Sequence, residues 1–137
     1  MKYIEIENTM NALQKVSNKV LPRKLSVAIV RNIEKLKSVS EFISAQRLDI
    51  LKKYAIIENG EFKFTINENG QQTLAFDSQE KLNLCNSELN DLYSCSEDLG
   101  LIKVSASELD KCEESDRYDI LTVQEELSLA FMLTYEE

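Results

Sequence analysis

The chain has no histidine and no tryptophan, one proline, three glycines and three cysteines in 137 residues. Each scarcity excludes something. Without histidine the commonest general base and the commonest transition-metal ligand are both missing. Serines are plentiful, yet none stands in a Gly-x-Ser-x-Gly elbow. Gly60, Gly70 and Gly100 are too scattered to form a phosphate-cradling loop. Cys85, Cys95 and Cys112 are an odd count with no close pair, which fits reduced thiols in a cytoplasmic protein better than a disulfide framework or a zinc site. No apolar run approaches the ~20 residues of a membrane span, and Glu5 and Glu7 sit where an export signal would need an apolar core. The sequence thus predicts a non-enzymatic protein with no cofactor, no metal and no membrane segment.

What is present is a charge asymmetry. Residues 1–57 carry 11 Lys+Arg against 5 Asp+Glu, a balance of +6, and residues 58–137 carry 5 against 19, a balance of −14, which together make the net −8. With 43% apolar and 29% charged residues, the composition is that of a folded protein. No linker or repeat appears, so 1–137 reads as a single domain with a basic helical front and an acidic back. Such polarity points to macromolecular contacts more than to a catalytic pocket.

Tyr3-Ile4-Glu5-Ile6 alternates with period two and predicts a short strand, after which Asn8 or Thr9 can cap a helix carrying Met10, Leu13, Val16 and Val20. Pro22 suits the first turn of a second helix. From Arg23 to about Ala55 there is neither Gly nor Pro, and Leu25, Ile29, Ile33, Leu36, Val39, Ile43, Ile50, Leu51 and Tyr54 fall within one arc. Lys24, Arg31, Lys35 and Lys53 gather opposite. Such a helix is ~50 Å long at 1.5 Å per residue, against ~37 Å for a compact globule of this size. It should overhang its domain, with its stripe covered by the first helix folding back antiparallel or by a second copy.

Residues 60–77 predict a β-hairpin. A three-residue loop, Glu68-Asn69-Gly70, would pair Phe64 with Leu74 and Phe62 with Phe76, with Gly70 in the left-handed conformation. Asp77 with Glu80, Ser105 with Glu108, and Thr122 with Glu125 read as capping boxes. Leu101 to Val104 predicts a short strand, and a C-terminal helix should carry Leu127 to Leu133. The fold class is α+β: an antiparallel N-terminal helical hairpin with one long helix, a small antiparallel sheet with a β-hairpin, and further packing helices.

Arg31, Lys35 and Lys53 are candidate contacts on the basic face. Arg47 falls inside the apolar arc, so it should snorkel or pair with a carboxylate; Asn32 lies at the edge of that arc and is a candidate for fixing helix register. The acidic loop Glu113, Glu114 and Asp116 offers oxygen ligands but lacks the frame of a calcium loop, and reads as a solvated loop or a phosphate-mimicking surface.

The string Asn11-Ala-Leu-Gln-Lys, Leu21-Pro-Arg-Lys, Asn32-Ile-Glu-Lys-Leu, then Gln46-Arg47-Leu48-Asp49 and Leu51-Lys-Lys-Tyr54, resembles a group of small uncharacterised phage and prophage proteins of Gram-positive bacteria. That group opens with a short helix, a Leu-Pro turn and a long helix. Ser107-Glu108-Leu109 and Phe131-Met132-Leu133 match its closing segments loosely, while the alternating hairpin at 61–76 departs from it. The resemblance implies origin and carries over no catalytic residue. The expected function is protein binding in that setting, as an inhibitor of a host complex or an assembly factor, with a homo-oligomer as a possible form. The alternatives are nucleic-acid binding through the basic helix face, which the net charge opposes, and a minor virion component.

Overall fold

The structure, a computed structural model, describes residues 1–135. It is α+β, and its elements in order are α1 (Tyr3–Val16), α2 (Arg23–Tyr54), β1 (Ile57–Glu58), β2 (Glu61–Phe62), β3 (Phe64–Ile66), β4 (Gln72–Leu74), α3 (Gln79–Ser94), β5 (Val104–Ser105), α4 (Ser107–Glu114), α5 (Val123–Leu129), a 3-10 turn (Ala130–Met132) and β6 (Leu133–Thr134). They form two compact units, one from residues 1–40 and 96–137, the other from residues 41–95. Neither boundary coincides with the charge boundary at 57/58.

In the first unit the expected strand at Tyr3–Ile6 is helix from Tyr3 onward. Ile6, Leu13 and Val16 recur at helical spacing and are buried, while Ile4 is 63% exposed. One helix face therefore takes the apolar residues that a strand would have placed with Ile4 beside Ile6. Only the first two residues are strand-like: Lys2 bridges Ser96, and the Glu97 N–H donates to the Met1 carbonyl at 3.0 Å. The helix starts at Lys2 with no side-chain cap, and Thr9 instead donates back to the Glu5 carbonyl at 2.8 Å. Pro22 precedes α2, its carbonyl accepting from the Ser26 N–H at 2.9 Å.

The core of this unit is Ile6, Leu13 and Val16 from α1, Leu25, Ala28, Ile29 and Leu36 from α2, and Leu129, Met132 and Leu133 near the C-terminus. α1 packs chiefly on α5. The capping box of Thr122 and Glu125 is present in full, with Glu125 N–H to Thr122 Oγ1 at 3.2 Å and Thr122 N–H to Glu125 Oε1 at 2.9 Å. The one expected at Ser105 is absent: α4 starts after Ala106, and Ser105 Oγ takes the Ser107 N–H at 3.3 Å. Nor does the C-terminal helix reach Leu133, which leaves the helix to pair β6 with β5 in parallel, Val104 opposite Leu133 and Ser105 opposite Thr134. The expected strand at Leu101–Val104 thus lies at Val104–Ser105.

In the second unit the three-residue loop and Gly70 (φ 76°) stand as expected, with Phe64 opposite Leu74. Asn67 closes the loop, its Oδ1 accepting from the Asn69 and Gln71 N–H groups at 3.0 and 2.9 Å. Phe62 does not meet Phe76. It pairs with Ile57 across a two-residue Asn59-Gly60 turn, while Phe76 bridges Ala55. Asn59 (φ 53°) and Gly60 (φ 79°) are both left-handed, the geometry of the tightest hairpin turn. α3 starts one residue later than expected: Ser78 caps it by accepting from the Lys81 N–H at 3.2 Å, and Asp77 pairs with Lys81 Nζ at 3.0 Å.

α2 matches its predicted span, 32 residues and about 48 Å. α1, at 14 residues, extends only about 21 Å. Residues 41–54 of α2 belong instead to the same compact unit as the hairpins and α3, a cover the periodicity did not anticipate.

Candidate protein-binding site

A buried amide organises the first unit. Asn32 is fully buried on α2, and its side chain binds the main chain of Ile102 on both sides, accepting from its N–H at 2.7 Å and donating to its carbonyl at 2.9 Å. Three residues further along α2, Lys35 Nζ donates to the Gly100 carbonyl at 3.0 Å. Residues 100–102 are thereby laid along α2 before the chain enters β5. The main-chain polar groups of Ile102 turn toward Asn32. Those of Ala106 turn toward β6, its N–H donating to the Thr134 carbonyl at 2.7 Å. By the two-residue period of extended chain, the groups of Lys103 and Ser105 face the opposite side.

Beside this segment lies a cleft of about 490 Å³ between the first turns of α2 and residues 102–105. Its apolar wall is Val27, Ala28, Ile102 and Val104; Val27 is 47% and Ile102 38% exposed. Arg23, Lys24 and Lys103 stand at its rim, and none of the three forms an ion pair among the described residues. Glu108 lines it from α4 and is 94% buried, its Oε2 lying 2.9 Å from Lys111 Nζ without hydrogen-bond alignment. A second, smaller cleft shares Arg23 and adds Lys19 and Arg117, the Arg117 guanidinium lying 5.6 Å over the Tyr118 ring. Basic side chains therefore concentrate around the start of α2.

The residues singled out from the sequence do not converge. Arg31 is exposed and pairs with Glu34 at 3.4 Å, and Lys35 is bound to Gly100. In the second unit Lys53 pairs with Glu88 at 3.2 Å and lies 5.1 Å over the Tyr54 ring; the bond to Glu88 raises its pKa above the ordinary lysine value. Arg47 is exposed and has no ion-pair partner among the described residues, so of the two expected outcomes, a snorkelling side chain or a carboxylate pair, the pair does not form. It lies on the same face of α2 as the buried Ile43 and the half-buried Ile50, Leu51 and Tyr54, and its charge acts on the buried Cys85 thiol of α3. Glu114 and Asp116 are exposed, and Glu113 lines a separate polar cleft with Asp110, Glu126 and the Ser105–Ser107 hydroxyl pair. Among the described residues no group of three or more His, Cys, Asp or Glu is placed to hold a metal.

The cysteines are all free. Burial raises the Cys85 thiol above the ordinary range, reinforced by Glu88 and opposed by Arg47; burial followed by Glu113 raises Cys112. Both are thereby held in the protonated, weakly nucleophilic form.

Of the residues around the cleft the sequence placed only Lys24 on the basic face, because the meeting of Arg23, Lys24, Val27 and Lys103 depends on Asn32 holding residue 102. The signal available was Asn32 itself, a polar residue at the edge of an apolar arc. No described helix is long and apolar enough to cross a membrane. Comparisons with protein-family models, with curated proteins and with solved structures find no match for this chain.

Proposed function

We propose that the chain is a non-enzymatic protein-binding protein of phage or prophage origin. On this reading it acts in the host cytoplasm by engaging a host or phage protein complex, as an inhibitor or an assembly factor. The observation that carries the reading is the cleft beside residues 102–105: an exposed aliphatic wall with three uncommitted cations at its rim, in a chain of net charge −8. Apolar centres with charged rims are how protein surfaces recognise one another. Exposed apolar wall residues also favour a macromolecular partner over a solvated lysine-rich face.

Nucleic acid fits less well. Of the four cations on the predicted basic face, Arg31, Lys35 and Lys53 are already bonded within the chain, and Lys24 alone is uncommitted. The test is affinity capture with the intact chain and with Val27→Asp combined with Ile102→Asp. Captured candidates are then purified and titrated calorimetrically. The expected result is a stoichiometric complex that the double substitution abolishes. Turnover of a substrate by the purified chain would end the reading. So would retention on duplex or single-stranded DNA at physiological salt that Arg31→Glu with Lys35→Glu removes.

A further inference from the structure

In the second unit the β1–β2 ribbon, the β3–β4 ribbon and the Ala55–Phe76 bridge meet at one ring of hydrogen bonds. Ile56 N–H donates to the Ala75 carbonyl, Ala75 N–H to the Lys63 carbonyl and Lys63 N–H to the Ile56 carbonyl, each at 2.9 Å. Beyond that ring β3 and β4 run on as a two-stranded sheet, so each keeps one open edge. The Ala75–Lys63 bond and the bond from Asn67 N–H to the Gln71 carbonyl (2.9 Å) fix which groups face inward. By the alternation of an antiparallel pair, the main chain of Thr65 turns toward Thr73, and that of Phe64 and Ile66 turns outward. No other element bonds to Phe64 or Ile66 among the described residues. Their side chains share one face with half-buried Leu74 and are 51% and 77% exposed. A two-stranded ribbon is marginal in water without a further strand or a cover, and an open apolar edge is a template for that strand.

We propose that the occupant of this edge is a second copy of the chain, with β3 pairing antiparallel to β3 of its copy about a twofold axis at Thr65. Self-complementarity selects the occupant. In this register Phe64 lies opposite Ile66 of the second copy, and Ile66 opposite its Phe64, an aromatic against a β-branched side chain. Each apolar row then reads Leu74, Phe64, Ile66 across the junction. The other face extends the Thr65–Thr73 pair, whose hydroxyls lie 3.4 Å apart, into a continuous threonine row. The open edge of β4 offers no such match, since the same symmetry about Thr73 sets Gln72 against Leu74. Charge favours the same edge: in a chain of net −8, residues 64–76 carry one charge, Glu68, in the loop. Antiparallel pairing holds the two Glu68 side chains at opposite ends, roughly 20 Å apart and beyond the ~8 Å Debye length. The inference stands apart from the cleft and goes beyond the protein-binding reading.

The experiment measures self-association of the full chain by sedimentation equilibrium from about 10 μM to about 1 mM, at low and high salt. A dimer should form, and salt should strengthen it, because screening removes the repulsion between two acidic chains. A sample mixed from methyl-labelled and unlabelled copies should show a nuclear Overhauser effect between the Phe64 ring of one molecule and the Ile66 methyls of another. Amide exchange at Phe64 and Ile66 should slow as the concentration rises, while that at Gln72 and Leu74 stays constant. Thr65→Lys sets like charges opposite each other on the axis and should weaken the dimer at least about tenfold. Thr73→Lys, an equally exposed change on the other strand, should leave it within about twofold. Amide spectra check that both variants keep the fold, and the intermolecular effect tests the pairing without any variant. A chain monomeric at about 1 mM overturns the proposal. So does a dimer that lacks the Phe64–Ile66 contact, one that high salt dissociates, or one that Thr73→Lys loses and Thr65→Lys keeps. None of these outcomes touches the protein-binding reading, which capture at the cleft decides separately.

Discussion

Two side chains show how single residues are used here. Asn32 spends both ends of its amide on one peptide unit, replacing for Ile102 the partners that a neighbouring strand would supply. Leucine in its place would leave the Ile102 N–H and carbonyl without their side-chain partners. Asn32→Leu is expected to cost about 2 kcal/mol, read as a lower denaturant midpoint with an unchanged slope. Glu125 is the second case. Lys19 Nζ donates to its Oε1 at 2.6 Å, and that bond is the largest reason its carboxyl ionises below the usual carboxylate range. A depressed carboxyl stabilises the fold above its unfolded value, and the contribution disappears as the pH falls through the lower folded value. Glu125→Gln should therefore lower stability near neutral pH and flatten the loss that sets in as the pH falls below the ordinary glutamate range, measured by urea melts from neutral into acid pH.

Among elements, the turn at 59–60 is the most demanding. Both residues have positive φ, and nothing lies within 4 Å of a methyl added to Gly60. Gly60→Ala thus isolates backbone strain from crowding. It is expected to destabilise the second unit by about 1 kcal/mol, seen as faster exchange of the β1–β2 amides. The turn was readable from Asn59-Gly60, the strongest short hairpin signal, yet the better alternation across Asn69-Gly70 draws attention away from it. α2 was legible over its whole length because a 32-residue apolar period without Gly or Pro admits no other element. α1 was not, because Tyr3–Ile6 satisfies both periods and four residues cannot choose between them. Tertiary burial of Ile6 with Leu13 and Val16 makes the choice.

At the scale of the whole molecule, the charge asymmetry along the chain does not survive folding. The first unit contains 11 Lys+Arg and 15 Asp+Glu and the second 5 and 9, so each nets −4. The basic front is folded onto the acidic back within one unit, as the pair of Lys19 with Glu125 and the bond from the Met1 amino group to the Glu97 carbonyl (2.8 Å) illustrate. The cores are unequal. Of the largest fully buried side chains, all but Cys85 belong to the first unit. Local stability follows buried apolar contact, so amides of α3 and the hairpins should exchange through smaller openings than those of α1, α5 and residues 23–40. Native-state hydrogen exchange over low urea concentrations tests this; identical opening energies in both units would contradict it.

Residue order alone determined the long helix, the register of Phe64 with Leu74, the left-handed Gly70 and the cap at Thr122, because each depends on neighbours within a few turns or one short loop. The cleft, the exposure of Arg47 without a carboxylate partner, the parallel pairing of β5 with β6 and the cancellation of charge were decided only by tertiary structure. Each requires residues some 20 to 100 positions apart to meet, and local periodicity contains no information about such meetings.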